Sequence, residues 1–517
     1  MEILPLSSLD ALLSWNGPGN LKNFLKGLPP LHPRSPPTSL LDQCSGKKFK
    51  TLVCHDMCNG YKDDKYCFRT SNSHAYKFCH WNAIDTFVYF SHHFVTIPPC
   101  GWVSAGHIHG VKVLGTLITE WDEGETIWDT ILNDPAICEL ALNNLVEIAQ
   151  TYRFEGWLLN IENKINPEKI KDLLYFASEL TQRMRIKNSD SEVIWYDSVT
   201  IKGELKWQNE LNENNIAFFN SCNSIFLNYT WNEDHLKRSV QVAQSRLTDV
   251  YVGVDMYGRN FYKGGGFNTN KAFEVIRKYN LSAALFAQGW TYEVLGAQNF
   301  FSNENIMWNS LEPFMQYHGP SSLPLTTSFC QGFGHNMFRN GKVLNDGKWF
   351  NLMKQQIQPI WEEVFRSSSN RTSITTNEAY NGGSCLSVWV DELTKIKLLV
   401  CQISITNITE FTFAYQCRGT IKYVAFTFSH KVTSECGDDE REVIMVAEKT
   451  EEKGEGAQVD DLASTILSPN SKDEKNSWSI RTFLLPVISG CLCDFKLVAQ
   501  GPGVVFFGEV SIRHFFP

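Results

Sequence analysis

The sequence has no surplus of positive charge: 47 Lys and Arg stand against 56 Asp and Glu, a formal net charge of −9. Without a basic face the chain lacks the electrostatic footprint of a protein whose main partner is nucleic acid or an anionic membrane. It also has no apolar run of about 18 residues, the length a helix needs to cross a bilayer. The stretch from Met1 to Gly19 is interrupted at Ser7, Ser8, Asp10 and Gly17, and has neither the basic start nor the continuous apolar run of a secretory signal. A disulfide framework is missing as well. The 15 Cys are odd in number and scattered through apparent strands (Cys54, Cys401) and a helix (Cys138), a pattern of free thiols in a reducing compartment. The cytosol is the expected location.

Metal and nucleotide signatures are equally scarce. Cys54-His55-Asp56 with Cys58, and His107 with His109, do not have paired ligand spacing, so neither a metal nor another cofactor is expected. Gly264-Gly265-Gly266 precedes a helix but lies in no Walker or dinucleotide pattern, and reads as a flexible loop.

What is present is length and aromatic content. At 517 residues the chain is too long for one small core and implies two or three domains. Its aromatic content of 13% is high; large cores account for most of it, and apolar sugar faces are a second use. Residues 1–47, Pro-rich around Pro29-Pro30 and Pro33 to Pro37, read as a loosely ordered arm.

From Lys48 a rhythm begins, in which apolar runs close in polar or aromatic residues. Thr51–Cys54 ends in His55-Asp56, Thr86–Phe90 in Ser91-His92-His93, Val111–Ile118 in Thr119-Glu120-Trp121, and Gly156–Leu159 in Asn160-Ile161-Glu162. Val193–Trp195 ends in Tyr196-Asp197-Ser198, Ile225–Leu227 in Asn228-Tyr229-Thr230-Trp231, Val250–Val254 in Asp255-Met256-Tyr257, and Ala283–Phe286 in Ala287-Gln288-Gly289-Trp290. Helices lie between several of them. Asn166 can cap and Pro167 takes the first helical position, after which Ile170, Leu173, Leu174, Ala177, Leu180 and Met184 recur at helical spacing.

Runs that do not alternate are buried on both faces, and interleaved helices supply the cover. Eight such units predict a (β/α)₈ TIM barrel over residues 48–321. Residues 322–377 read as a connecting region with a helix near Trp349–Trp361. From Glu378 to the end the pattern is all-β, and a C-terminal β-sandwich over residues 378–517 is expected. Within it, the acidic, Gly-containing tract Glu451 to Gly456 reads as a solvated loop.

In a barrel of this kind the C-terminal strand ends form the active-site face. Residues i and i+2 of a strand share a face, so Asn160 and Glu162 present a carboxamide and a carboxyl side by side. The bland reading of that pair is a polar strand end satisfied by its neighbours; its position among eight similar ends favours chemistry. A glycosidase usually needs two carboxyls, and a carboxamide cannot replace one as nucleophile. It can orient a nucleophile carried by the substrate, such as the 2-acetamido oxygen of an N-acetyl sugar, which closes to an oxazoline. Glu162 then protonates the departing oxygen and later deprotonates water, work that suits a carboxyl raised by a dry site. Trp121, Tyr196 and Trp231 end neighbouring strands, and Tyr196 can donate to the acetamide. Asn228, Asp255 and Trp290 complete the candidate substrate-binding residues.

Gly156-Trp157-Leu158-Leu159-Asn160-Ile161-Glu162-Asn163 resembles the catalytic signature of family 85 glycoside hydrolases, the endo-β-N-acetylglucosaminidases. The resemblance extends through Cys54-His55-Asp56-Met57, Gly115 to Trp121, Trp195-Tyr196-Asp197-Ser198, Val252-Gly253-Val254-Asp255 and Gly382-Gly383-Ser384. It implies cleavage of the β-1,4 bond in the GlcNAc–GlcNAc core of N-glycans by the substrate-assisted route, with no metal. N-glycans, free oligosaccharides and glycopeptides are then the expected partners. It also implies that Asn160 orients the acetamide, Glu162 is the acid/base and Tyr196 assists. Gln288 departs from the proline expected before Gly289-Trp290. A glycan-binding protein without activity on the same barrel is the alternative, and the oligomeric state is left open.

Overall fold

Because the expected runs are apolar or small at nearly every position, with Lys112 at the start of one the exception, each can be covered on both sides, and each is a strand. The computed structural model describes residues 1–40, 46–259, 261–360, 372–434, 437–449, 464–487 and 490–515. The barrel strands are β1 (Thr51–His55), β2 (Thr86–Tyr89), β3 (Lys112–Glu120), β4 (Gly156–Glu162), β5 (Glu192–Tyr196), β6 (Ser224–Leu227), β7 (Val250–Asp255) and β8 (Ser282–Phe286). Each is parallel to the next in order, and β1 also pairs with β8, so the sheet closes. The short strand Val95–Thr96 adds antiparallel to β3.

Alternation decides which way each side chain points. Leu52, Cys54, Val88, Leu114, Ile118, Leu158, Ile194, Phe226 and Tyr251 fill the barrel interior. Their neighbours Val53, Phe87, Trp157, Leu159, Trp195 and Val252 face the surrounding helices, in a separate and larger core. The Pro135–Tyr152 helix starts at Asp134, whose carboxylate accepts from the Ala136 and Ile137 N–H groups, and Ile170–Lys187 follows the Asn166 cap.

The N-terminal segment is not a loose arm. It is short of regular structure, yet Ile3, Leu12, Leu25 and Leu28 are buried in the barrel's outer core. Leu6 exchanges backbone hydrogen bonds with Val95, Asn144 donates to the Leu12 carbonyl at 2.8 Å, and Arg34 pairs with Asp85 at 2.7 Å. Proline makes this segment irregular without detaching it, because apolar residues placed between the prolines have a surface to bury.

The connecting region also differs from expectation. In place of a helix near Trp349–Trp361 there is a hairpin, Gln331–Arg339 with Lys342–Gln355; Trp361 lies outside the described residues. Its turn is Asn340-Gly341, both with positive φ (51° and 75°), the backbone that a two-residue hairpin turn requires. Gln355 anchors the hairpin to the barrel: it accepts from the Trp81 indole at 2.7 Å and donates to the Phe78 carbonyl at 2.9 Å.

Two sheets follow. One is ordered Thr372–Thr375, Cys385–Val390, Gly503–His514, Thr409–Gly419, Trp478–Leu485, Ser471–Lys475, with Leu325–Thr327 added on Gly503–His514. The other is ordered Leu393–Ile405, Gly490–Gln500, Tyr423–Ser434, Gly437–Lys449, Ser464–Leu467. Their facing residues form one core in which Phe413 stacks on Phe426 at 4.0 Å between ring centroids. The acidic tract from Glu451 lies outside the described residues.

Candidate active site

The inward-pointing column of each barrel strand ends, one step of two residues further on, in a group that can do chemistry or shape a pocket. Cys54 leads to Asp56, Phe90 to His92, Ile118 to Glu120, Leu158 to Asn160 and then Glu162, and Phe226 to Asn228. Tyr196, Asp255 and Phe286 end β5, β7 and β8. With Trp207, Tyr229 and Arg259 from the loops, these residues line a cavity of about 270 Å³ at the C-terminal mouth. Hollows of about 550 and 790 Å³ exist elsewhere, but neither sets a carboxyl beside a carboxamide on one strand.

At the centre Asn160 donates from Nδ2 to Oε1 of Glu162 at 3.1 Å. Asn160 is 3% exposed, and Glu162 is half-buried at the last position of β4. Burial pushes the Glu162 carboxyl above the usual carboxylate range; the Asn160 hydrogen bond opposes this, the Glu120 charge adds to it, and His92 opposes it. A carboxyl raised above its usual range next to a fixed amide donor is suited to giving and taking a proton.

The end of β4 is fixed from its outer side. Asn163 accepts from Thr119 Oγ1 at 2.7 Å and donates to the Lys164 carbonyl, while the Trp128 indole donates to the same Thr119 hydroxyl at 2.8 Å. Ser198 Oγ donates to the Ile161 carbonyl at 2.7 Å. Gly124 leaves the space into which Asn163 reaches; a Cβ there would strike its carboxamide oxygen.

Tyr196 is buried and donates from its hydroxyl to Asn228 Oδ1 at 2.9 Å. Burial, with the Glu162 charge second, pushes its phenol well up, so it remains a donor. Asn228 in turn donates to Asn209 Oδ1 at 2.8 Å, and Asp197 accepts the Asn209 and Gln208 backbone N–H groups. Asp197 thus holds the loop that orients Asn228, which orients Tyr196.

Asp255 lines the cavity and is paired with Arg259 at 2.9 Å. The three candidate tryptophans stand elsewhere. Trp231 is 3% exposed, donates its indole N–H to the Gly253 carbonyl at 2.7 Å and stacks on Tyr262. Trp121 is 62% exposed at the start of the helix after β3, and Trp290 packs edge-on against Phe267. None of them lines this cavity. Gln288, where proline was expected, is fully buried and its amide hydrogen-bonds His55 Nδ1 at 2.8 Å below the pocket.

Sequence reasoning did not single out Glu120, His92, Arg259 or Trp207. The first two had a signal, since each lies two residues beyond an inward apolar residue. His92 Nδ1 lies 3.1 Å from Glu120 Oε2, and that carboxylate, chiefly through the hydrogen bond, raises the imidazole above its ordinary range. Trp207 and Arg259 arrive on loops, whose course no strand pattern foretells.

The family model for glycosyl hydrolase family 85 matches residues 61–337, more than half of the chain. The chain belongs to that family. Among its relatives, a protein described as cytosolic endo-beta-N-acetylglucosaminidase from Mus musculus is 44% identical over 386 residues, covering 74% of this chain and 52% of the relative. One of the same description from Gallus gallus is 44% identical over 384 residues, with coverage of 74% and 52%. Cytosolic endo-beta-N-acetylglucosaminidase 1 from Arabidopsis thaliana is 42% identical over 344 residues, with coverage of 65% and 50%. The chain therefore spans about half the length of the curated relatives it matches. The glycoside hydrolase domain of Endo-D from Streptococcus pneumoniae R6 has the same fold, with a TM-score of 0.75 at 18% identity, covering 100% of this chain and 83% of that one. The family assignment rests on the stretch that contains every strand-end residue of the cavity except Asp56.

Proposed function

We propose that the chain is an endo-β-N-acetylglucosaminidase of the cytosol that cleaves the β-1,4 bond of the GlcNAc–GlcNAc core of N-glycans. The observation that carries this reading is the Asn160–Glu162 pair: a carboxamide in hydrogen-bond contact with a carboxyl raised by burial, at the mouth of the barrel. Membership of family 85 and the printed activity of the relatives support the substrate class.

In the first step Asn160 holds the substrate acetamide so that its oxygen attacks the anomeric carbon. The bond to the departing oxygen breaks as Glu162 gives that oxygen its proton. The product on the enzyme is a sugar oxazolinium ion, the oxazoline ring that still carries the acetamide N–H proton. In the second step a water oxygen attacks the same carbon and gives its proton to Glu162, and the ring opens to restore the acetamide. Two displacements at one carbon retain its configuration. Tyr196 turns its one hydroxyl proton from Asn228 Oδ1 to the acetamide oxygen once substrate is bound, from a position set by the Asn228 contact.

The test is release of free glycan from an N-glycopeptide by the full chain, followed by mass spectrometry. One GlcNAc left on the peptide and one reducing-end GlcNAc on the released glycan is the expected result. Binding of the glycopeptide without any release overturns the catalytic reading and leaves a glycan-binding protein.

A further inference from the structure

A second cavity, of about 180 Å³, lies where the barrel meets the first sheet of the sandwich, away from the strand ends just described. It is walled by the segment around Lys77 to His80, the Phe300–Leu311 helix and the Thr372–Thr375 strand, with Gln331 of the hairpin inside it. Two features here are unexplained by folding. Gln331 is fully buried, yet among the described residues neither Oε1 nor Nε2 of its side chain has a hydrogen-bond partner. Leaving a buried donor and acceptor both unmade is costly, and native proteins rarely do so without a reason.

The second feature is Lys77. Only 4% exposed, it donates to the Ser73 carbonyl at 3.3 Å and stands 3.7 Å from the centre of the Phe333 ring, but has no ion pair among the described residues. A buried ammonium group without an anion is expensive. Burial accordingly lowers it to about 8, so that it still carries charge at neutral pH. Among the described residues no neighbour supplies the opposite charge. Glu304 is pushed by burial up to about 8 and is largely protonated, its oxygens engaged by Thr291 and the Trp308 indole. Burial holds His80, stacked on Trp308, down to about 3 and neutral.

We propose that this cavity is a second binding site, separate from the active site, for a small organic anion of about one sugar ring: a carboxylate with hydroxyl groups beside it. The carboxylate meets Lys77, the hydroxyls meet the donor and acceptor of Gln331, and the half-open Phe301 at the rim offers a ring face to the apolar side of the ligand. The site does not depend on the proposed hydrolysis, since none of its residues lines the catalytic cavity.

The experiment titrates the full chain with D-glucuronate, with glucose as the same ring without a carboxylate and acetate as a carboxylate without a ring, following binding by saturation-transfer NMR and calorimetry. Glucuronate is expected to bind at least about tenfold more tightly than either control, a difference of about 1.4 kcal/mol. Lys77→Met and Gln331→Leu should each weaken it by about tenfold or more. Lys77→Arg should largely keep binding, and Glu162→Gln should leave it unchanged. Equal binding of glucuronate and glucose overturns the proposal, as does binding that survives Lys77→Met. Gln331→Leu raising the melting temperature while the wild type takes up no glucuronate also overturns it, by making the cavity a home for trapped water alone.

Discussion

Replacing Asn160 by alanine should separate the two steps of the proposed reaction. The side chain is 3% exposed, and one amide hydrogen is already directed at Glu162 at 3.1 Å, so the rest of the carboxamide is fixed before substrate arrives. Losing such a preorganised contact to a group that gains charge typically costs about 10²–10³-fold, roughly 2.7–4 kcal/mol. That cost falls on oxazoline formation, where the acetamide must be held in its attacking form. Opening a preformed oxazoline needs only a hydroxyl activated by Glu162. The variant should therefore hydrolyse a glycopeptide about 10²–10³-fold more slowly, yet still transfer sugar from a synthetic glycan oxazoline to a GlcNAc acceptor. A second readout follows from the sign of the contact. The Asn160 hydrogen bond lowers the Glu162 carboxyl, so its loss raises that carboxyl further. Glu162 must be protonated in the first step, and the high-pH fall of the hydrolytic rate should then move to higher pH. Equal losses in hydrolysis and transfer, with the fold intact by circular dichroism, would refute the step-specific role.

Other outcomes can be checked in parallel. Glu162→Gln should lower glycopeptide hydrolysis by about 10²–10⁴-fold while its melting temperature stays close to wild type; substantial turnover would remove Glu162 from the mechanism. Asp197→Ala should reduce kcat more than it raises KM, by releasing the loop that orients Asn228 and Tyr196, and a Tyr196→Phe background should make it nearly silent. Glu304 is raised to about 8 from an ordinary value of 4.5, so the folded state keeps a proton that the unfolded chain has lost. Its contribution is full below about pH 4.5, declines as pH rises to about 8, and changes no further above that. Glu304→Gln, which reproduces the protonated form, should flatten that decline in a series of melting curves; identical pH dependence in both proteins would show that Glu304 is ionised when folded. EDTA should leave hydrolysis unchanged, as the described residues contain no group of three His, Cys, Asp or Glu placed to hold an ion; loss of rate restored by zinc would contradict this.

The barrel was legible because burial on both faces leaves an unbroken apolar run, and Asn160 and Glu162 were legible because polar residues interrupt that run at one end. The same two-residue step from Phe90 to His92 and from Ile118 to Glu120 was equally visible, although only β4 carries two polar residues in succession on its inward face. The tryptophans fall outside the cavity for a different reason. Trp231 and Trp290 follow strand ends in sequence, yet each has a large ring that turns into loop packing, and sequence adjacency does not say which side of the rim a ring will take. The hairpin at Gln331–Gln355 was missed because Trp349, Phe350 and Leu352 resemble a helical stripe. Asn340-Gly341 was the better signal, since it demands a backbone that helices do not use. Trp207 lies on a loop held by contacts such as those of Asp197, and Arg259 is turned back onto Asp255 four residues before it; no strand pattern encodes either.

The closure of β1 against β8 bears on how the chain can be divided. The stretch matched by the family model begins at residue 61, beyond β1, and the N-terminal clasp built from Ile3, Leu12, Leu25 and Arg34 lies wholly before it. A fragment trimmed to that boundary would hold every catalytic candidate but only seven of the eight staves. Its β2 and β8 would each present an unpaired row of backbone N–H and C=O groups, and the surfaces under Leu12 and Leu25 would be bare. Open edges beside exposed apolar surface are what drive strands to pair with other molecules. The matched stretch is therefore smaller than the packed unit, and a fragment meant to keep the closed barrel has to retain β1 and the clasp residues packed before it.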